Sequence, residues 1–335
     1  MDKSEILIEL KKQFSGNEIK LPSHIDFDIT DGVLTIFIHR VTANMQTDYA
    51  AFEAWIIACK ALLPKYIDFV VLDFNEPEKS SELPGNSDTR HYNRFLYRVG
   101  NMLKIFPEWF RVAESKIEIV QNFDQWLRTG SNLLNRSNSE REDVIGTTKM
   151  ERQIESWFVY REGRNIICNL WDIDPNRVYN QLPVGVFRDV VSIKSAIFTG
   201  GASAIDLWGI GNDSKTLHIM ELKCMGNREM GIISELLFYI FVIYDSFISN
   251  EAIFHYESAG RIKDTSDIIA IKNNGIKFEK LNAHILAETL HPLITQEVND
   301  LIAEGLAKIN VGFDTAFYDY SKKEIIHESN HLPRH

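Results

Sequence analysis

The stretch AIDLWGIGNDSKTLHIMELKC, residues 204–224, constrains this chain more than any other. It reads as two apolar runs joined by a polar turn at residues 211–214, the pattern of two buried strands. Buried strands are almost wholly apolar, yet Asp206 lies in the first run, and Glu221 and Lys223 lie in the second. Side chains alternate faces along a strand. Leu217, Ile219, Glu221 and Lys223 therefore share one face, and His218, Met220, Leu222 and Cys224 take the other. Counted outward from Asn212 and Asp213, Asp206 and Glu221 fall about equally far from the turn. Pairing of the two strands is expected to set them side by side.

Two carboxylates and an amine in a buried sheet are costly unless they are paired or bound to metal. Adjacent carboxylates repel, and one takes up a proton unless a cation lies between them. A divalent ion resolves the conflict. Hard oxygen donors suit Mg²⁺ or Mn²⁺, which also bind phosphate oxygens. A lysine beside them supplies a point charge for a water or a phosphate. The set is what metal-assisted phosphodiester hydrolysis requires. The alternative is a structural ion pair between Glu221 and Lys223, which contributes little stability once buried.

An Asp in one strand, then Glu-x-Lys at the end of the next, followed by a helix, resembles the PD-(D/E)XK nuclease superfamily, the restriction-endonuclease-like fold. The matching residues are Asp206 in AIDLW and Glu221 and Lys223 in ELK; the residue before Asp206 is Ile205, where many members have proline. The resemblance covers roughly residues 149–257, in the order helix, strands, helix, strand. It implies an α/β fold with a mixed central sheet flanked by helices. It also implies that Asp206, Glu221 and the backbone carbonyl of Leu222 bind Mg²⁺ or Mn²⁺, while Lys223 positions the attacking water. Glu155, on the helix that opens this region, helps hold the metal in this scheme. Glu235 and Tyr239 in SELLFY resemble the Gln/Glu-x-x-x-Tyr motif of exonuclease-like members. Plainer roles stay open: a solvated helix face for Glu155, and a core hydrogen bond between Glu235 and Tyr239, which stand four apart on one helix. The expected activity is hydrolysis of DNA. The alternatives are a catalytically inactive module that kept the fold, and a metal-dependent hydrolase of another phosphoester.

With 335 residues, 44% hydrophobic and 25% charged, two globular domains are expected. Residues 1–130 read as a small α/β domain for recognition or partner binding. Its signals are a hairpin around TDG at 30–32, helices over 48–63 and 89–105, and strands over 66–74 and 116–121. The polar, Ser- and Asn-rich residues 131–148 read as a linker. Residues 149–335 read as the nuclease-like domain with a C-terminal α/β extension. There, strands are expected over 164–170, 184–198 and 252–257, and helices over 231–248 and 295–308.

Net charge is −11, and no third of the chain carries a basic excess, which excludes nucleic-acid binding by bulk charge. Contact with DNA then rests on a local patch. Arg90, Arg94 and Arg98 recur every fourth residue on one helix face, as a phosphate-binding stripe or as a merely solvated face. The most apolar segment, 232–247, is interrupted by Glu235 and Asp245 and reads as a core helix, with no membrane role. The charged start MDKSEILIELKK lacks the apolar stretch of a secretory signal. Three widely spaced cysteines argue against disulfides or a zinc cluster. A cytoplasmic protein is expected, and a homodimer is left open.

Overall fold

The computed structural model describes residues 1–14, 19–45, 47–77, 87–129, 133–135, 150–198, 203–226, 228–256 and 277–326. The N-terminal half opens with helix α1 (Lys3–Lys12), followed by strands β1 (Ile25–Thr30) and β2 (Val33–Ile38), which pair antiparallel. Asp31 and Gly32 both take positive φ, 49° and 78°, which a two-residue hairpin needs to match the strand twist. Helix α2 (Phe52–Leu62) leads to β3 (Phe69–Phe74), and α3 (Ser87–Ile105) leads to β4 (Phe110–Val112). Both strands add in parallel, giving a four-stranded sheet in chain order. Residues 116–121, expected as a strand, lie instead in helix α4 (Glu114–Thr129). Ile117 and Ile119 alternate locally, but the positions that become buried are Val120 and Leu127, two turns apart.

Strand β5 (Leu133–Asn135) precedes helices α5 (Met150–Tyr160) and α6 (Glu162–Trp171). Helix α6 occupies 164–170, where a strand is expected. Its buried positions Gly163, Ile167 and Trp171 follow a four-residue step, and Asp172 ends it in a left-handed conformation. Then come β6 (Ile173–Pro183), β7 (Val186–Arg188), β8 (Ala204–Gly211), β9 (Thr216–Lys223) and helix α7 (Gly231–Ile243). The chain ends with β10 (Phe254–Tyr256), β11 (Lys280–Ala287), α8 (Gln296–Ala307), β12 (Val311–Asp319) and β13 (Glu324–Ile326). The main sheet runs β13-β12-β11-β9-β8-β6. Strands β6, β8 and β9 form an antiparallel meander, while β11 and β12 add in parallel beyond β9. Helices α5 and α6 cover one face, against Leu207, Met220 and Leu222. Helices α7 and α8 cover the other, against Trp208, Leu217 and Ile219. The strand that follows α7 in this sheet is β11; β10 belongs to a small sheet with β5 and β7. The sheet therefore continues past residue 257, and the expected C-terminal extension is part of it.

The boundary drawn at 131–148 separates two sheets, not two cores. Residues 133–135, expected in the linker, pair with 254–256 and 186–188; the rest of that segment lies outside the described residues. One continuous apolar core joins α2 and α3 to α7 and α8. The N-terminal half also binds α7 along its length. Asp48 Oδ1 accepts from the Met230 amide at its start (2.8 Å), Ser234 Oγ donates to Glu53 Oε2 in its first turns (2.8 Å), and Tyr97 Oη donates to Asp245 just past its end (2.7 Å). The segment Gly231–Ile248 has a mean hydropathy of 1.7 over its 18 residues, and 83% of it is buried inside the protein. Its apolarity is that of a core helix.

Two outcomes follow from this packing. A fragment spanning 149–335 will show no cooperative thermal unfolding by circular dichroism, because α7 and α8 lose their cover. Arg98→Met will cost about 3–5 kcal/mol in denaturant titration, because it leaves Glu53 buried without a counter-charge.

Candidate active site

Strands β8 and β9 pair Leu207 with Met220 and Trp208 with Ile219. Continued by one residue, this register sets Asp206 opposite Glu221, as the count from the turn anticipates. The turn is held by Asp213, whose carboxylate accepts from the amides of Lys215 and Thr216. Asp206 Oδ2 accepts from the Leu222 amide at 3.0 Å. Lys223 Nζ donates to Glu221 Oε1 at 2.7 Å and to Glu235 Oε2 on α7 at 3.2 Å. Tyr239, one turn further along α7, donates its hydroxyl to Glu235 Oε1 at 2.7 Å. Five residues singled out in the sequence, Asp206, Glu221, Lys223, Glu235 and Tyr239, thus form one connected cluster. All are buried except Asp206, which is half-buried and is the open side of the site.

The cluster gathers three carboxylates around one ammonium in a desolvated space, with the Arg94 guanidinium within electrostatic range of Glu235. Burial, and then the charges of Asp206 and Glu235, push Glu221 well above the usual carboxylate range. Burial raises Asp206 to about 6, although Lys223 and the Leu222 amide act the other way. Lys223 is held well above its ordinary value: burial alone would lower it, and Glu221, Glu235 and Asp206 outweigh that effect. Glu221 Oε2 is buried and has no hydrogen-bond partner. An orphaned carboxylate oxygen beside a second carboxylate is a place for a cation. Among the described residues, no three His, Cys, Asp or Glu side chains gather closely enough to hold a metal by themselves. The oxygen donors on the two adjacent strands are the carboxylates of Asp206 and Glu221. Such a set suits Mg²⁺, which keeps several waters and takes one or two carboxylates.

Glu155 reaches the strand that pairs with the Asp206 strand. It is buried on α5, and its Oε2 accepts from Gln181 Nε2 at 3.3 Å. The β6–β8 register, Asn180 with Leu207 and Leu182 with Ile205, puts Gln181 level with Asp206. Gln181 has φ 58°, a left-handed residue inside a strand. Its signal in the sequence is the one that exposes Asp206: polar side chains, here Asn180 and Gln181, in an otherwise apolar run.

The arginine stripe on α3 is corrected. Arg98 is 4% exposed; its Nε donates to Glu53 Oε1 at 2.5 Å, a second nitrogen pairs with Glu53 Oε2, and its guanidinium lies over the Phe52 ring. It is a structural ion pair and is closed to a nucleic-acid phosphate. Arg94 is also buried, against His91 and the Phe238 ring, within electrostatic range of Glu235 and Tyr239. Arg90 alone reaches solvent, donating to the Ile193 carbonyl at 3.3 Å. Four-residue spacing places the arginines on one face, but at Arg94 and Arg98 that face is packed against α2 and α7.

No known protein family, curated protein or solved structure matches this chain.

The electrostatics of the cluster give a pH-dependent outcome. Raised carboxylates bind a proton more tightly in the folded state, so their strain is full above the folded pKa and is relieved as pH falls toward the unfolded value. In chelator at about pH 8, Glu221→Gln will melt higher than the unsubstituted protein, and the difference will shrink as pH falls through about 6, where Asp206 takes its proton. His218, lowered to about 3 by burial and by His284, titrates alike in both proteins and cancels. A structural ion pair predicts the reverse, a loss at high pH.

Proposed function

We propose that the chain is a metal-dependent nuclease, hydrolysing phosphodiester bonds in DNA from a restriction-endonuclease-like core. The observation that carries this reading is the buried, orphaned Oε2 of Glu221 beside the charge of Asp206. The topology supports it: helix α5, three antiparallel strands, helix α7, then a parallel strand. Asp206 lies on the second strand of the meander and Glu-x-Lys on the third.

In this scheme Asp206, Glu221 and the Leu222 carbonyl hold Mg²⁺ or Mn²⁺. The ion, when bound, polarises the phosphate and acidifies a water. Lys223 acts as a fixed cation. Held protonated by Glu221 and Glu235, it is a donor and not a base, so it orients the attacking oxygen or stabilises charge on the phosphate. Glu235 and Tyr239 position Lys223 from α7. Glu155 acts through Gln181, on the strand next to Asp206. Arg94, buried on the α7 side, adds positive charge near the cluster. The acidic excess of the chain favours a second reading, a metal-dependent hydrolase of a smaller phosphoester.

Linear and circular DNA incubated with Mg²⁺, Mn²⁺ or chelator test this directly. Metal will raise the melting temperature of the unsubstituted protein, since a ligand of the folded state stabilises it. Asp206→Ala and Glu221→Ala will abolish both the rise and cleavage. Lys223→Ala will keep much of the rise while cleavage falls by about 10²–10³-fold. A protein whose melting ignores metal and that leaves both DNA forms intact would sink the reading.

A further inference from the structure

A cleft of about 650 Å³ opens between α3, α4 and the chain from β7 to residue 197. Arg90, Arg188 and Lys194 line it, together with Phe123 and Trp126; Asp189 is its one lining carboxylate. Three cations facing one carboxylate stand out in a chain of net charge −11. Among the described residues, the side chains of Arg188 and Lys194 have no hydrogen-bond or ion-pair partner. The Arg188 guanidinium lies 4.5 Å from the centroid of the exposed Trp126 ring, which leans on Phe123 at 5.5 Å. Stacking fixes the guanidinium plane and leaves its N–H donors to point at a ligand.

The chain links the cleft to the carboxylate cluster. Strands β6 and β8 pair up to Pro183 and Ala204, beside Gln181 and Asp206. The same pairing runs outward, with the Val184 amide donating to Ser203 (3.0 Å) and the Ile197 amide to Val186 (2.9 Å). The hairpin that rises from the Asp206 end of the sheet therefore forms one wall of the cleft. Arg188 lies seven residues beyond Gln181, at most about 23 Å of extended chain. The opposite wall is α3, where Arg90 stands one turn, about 6 Å, before Arg94.

We infer that this cleft binds a single strand of nucleic acid leading to the carboxylate cluster, with bases against the Trp126–Phe123 platform and phosphates on Arg90, Arg188 and Lys194. Cations interleaved with aromatic rings match single-strand binding, where rings take bases and the charges track the backbone. A duplex keeps its bases stacked inside and offers nothing to the rings. The inference rests on the nuclease reading for what is done to the strand, but its binding half is measured without catalysis.

The test uses the full chain in chelator, with a fluorescein-labelled oligothymidylate of about 12 nucleotides and a matching duplex. The expected result is tighter binding of the single strand, with partial quenching of tryptophan emission. Trp126→Ala will weaken binding about ten-fold and remove the quench. Arg188→Ala, and Lys194→Ala at an exposed position that folding does not depend on, will each lower the salt slope by about 0.7. The inference is overturned if the unsubstituted protein does not bind at low salt, if these variants bind with unchanged affinity and slope, or if duplex is held equally well through the same residues. Cleavage assays separate the two readings. Groove variants that weaken binding in a protein that never cleaves leave the cleft standing and remove the nuclease. Groove variants that bind and cleave normally, beside dead Asp206→Ala and Glu221→Ala, remove the cleft alone.

Discussion

Lys223 is shared between Glu221 on its own strand and Glu235 on α7, and that shared ammonium fixes how α7 lies over the main sheet. Everything on the other side of α7 then takes its place from the helix. Asp48 caps its first turn, Glu53 receives Ser234, and Tyr97 reaches Asp245 just beyond its end. Ser234 and Glu235 are consecutive, so one helical turn carries a contact to the N-terminal half and a contact to the candidate site. The N-terminal half thus acts as a clamp on the helix that positions Lys223, and the two sheets share one core built around α7.

Two buried charge groups, one on each side of α7, make an instructive contrast. Arg98 and Glu53 match one cation to one anion. Both Glu53 oxygens are used, and the remaining contacts go to Ser234 and the Ala50 carbonyl. Such a pair is tolerated inside a protein because its donors and acceptors are satisfied. The cluster at Glu221 breaks that rule, with a buried oxygen of Glu221 that has no partner. A chain that can build the satisfied arrangement a few residues away has no structural need for the unsatisfied one. In the proposed function, a bound metal ion supplies the partner that this oxygen lacks.

What is legible in the sequence follows from how local the deciding physics is. Alternation and a polar turn suffice to place Asp206 level with Glu221, because register between adjacent strands depends only on the turn that joins them. The buried helix, the TDG hairpin and α8 are legible for the same reason. Strand β6 is not: Asp174, Pro175 and Asn176 near its start and Pro183 at its end read as turn residues, and only pairing with β8 makes it a strand. Nor is the burial of Arg94 and Arg98. Periodicity tells which residues share a face, whereas the cover on that face comes from α2 and α7, distant in sequence. The one-core architecture escapes for a related reason, since composition marks a polar segment but carries no information on whether the flanking elements pack together.

Gln181 shows how the last of the sequence-derived acids enters the picture. A left-handed residue in mid-strand costs about 1–3 kcal/mol and persists only where its surroundings hold it there. Here β8 pairs on both sides of it, at Asn180 and Leu182, while its own position, level with Asp206, is skipped. The twist lets a side chain on β6 reach Glu155 on α5, the helix covering the face of the sheet opposite to α7. Glu155 is thereby tied to a side chain on the strand beside Asp206. The strained residue interrupts the β6–β8 pairing level with Asp206, the half-buried member of the cluster, so the surroundings of the candidate site are set by a backbone conformation as much as by its charges.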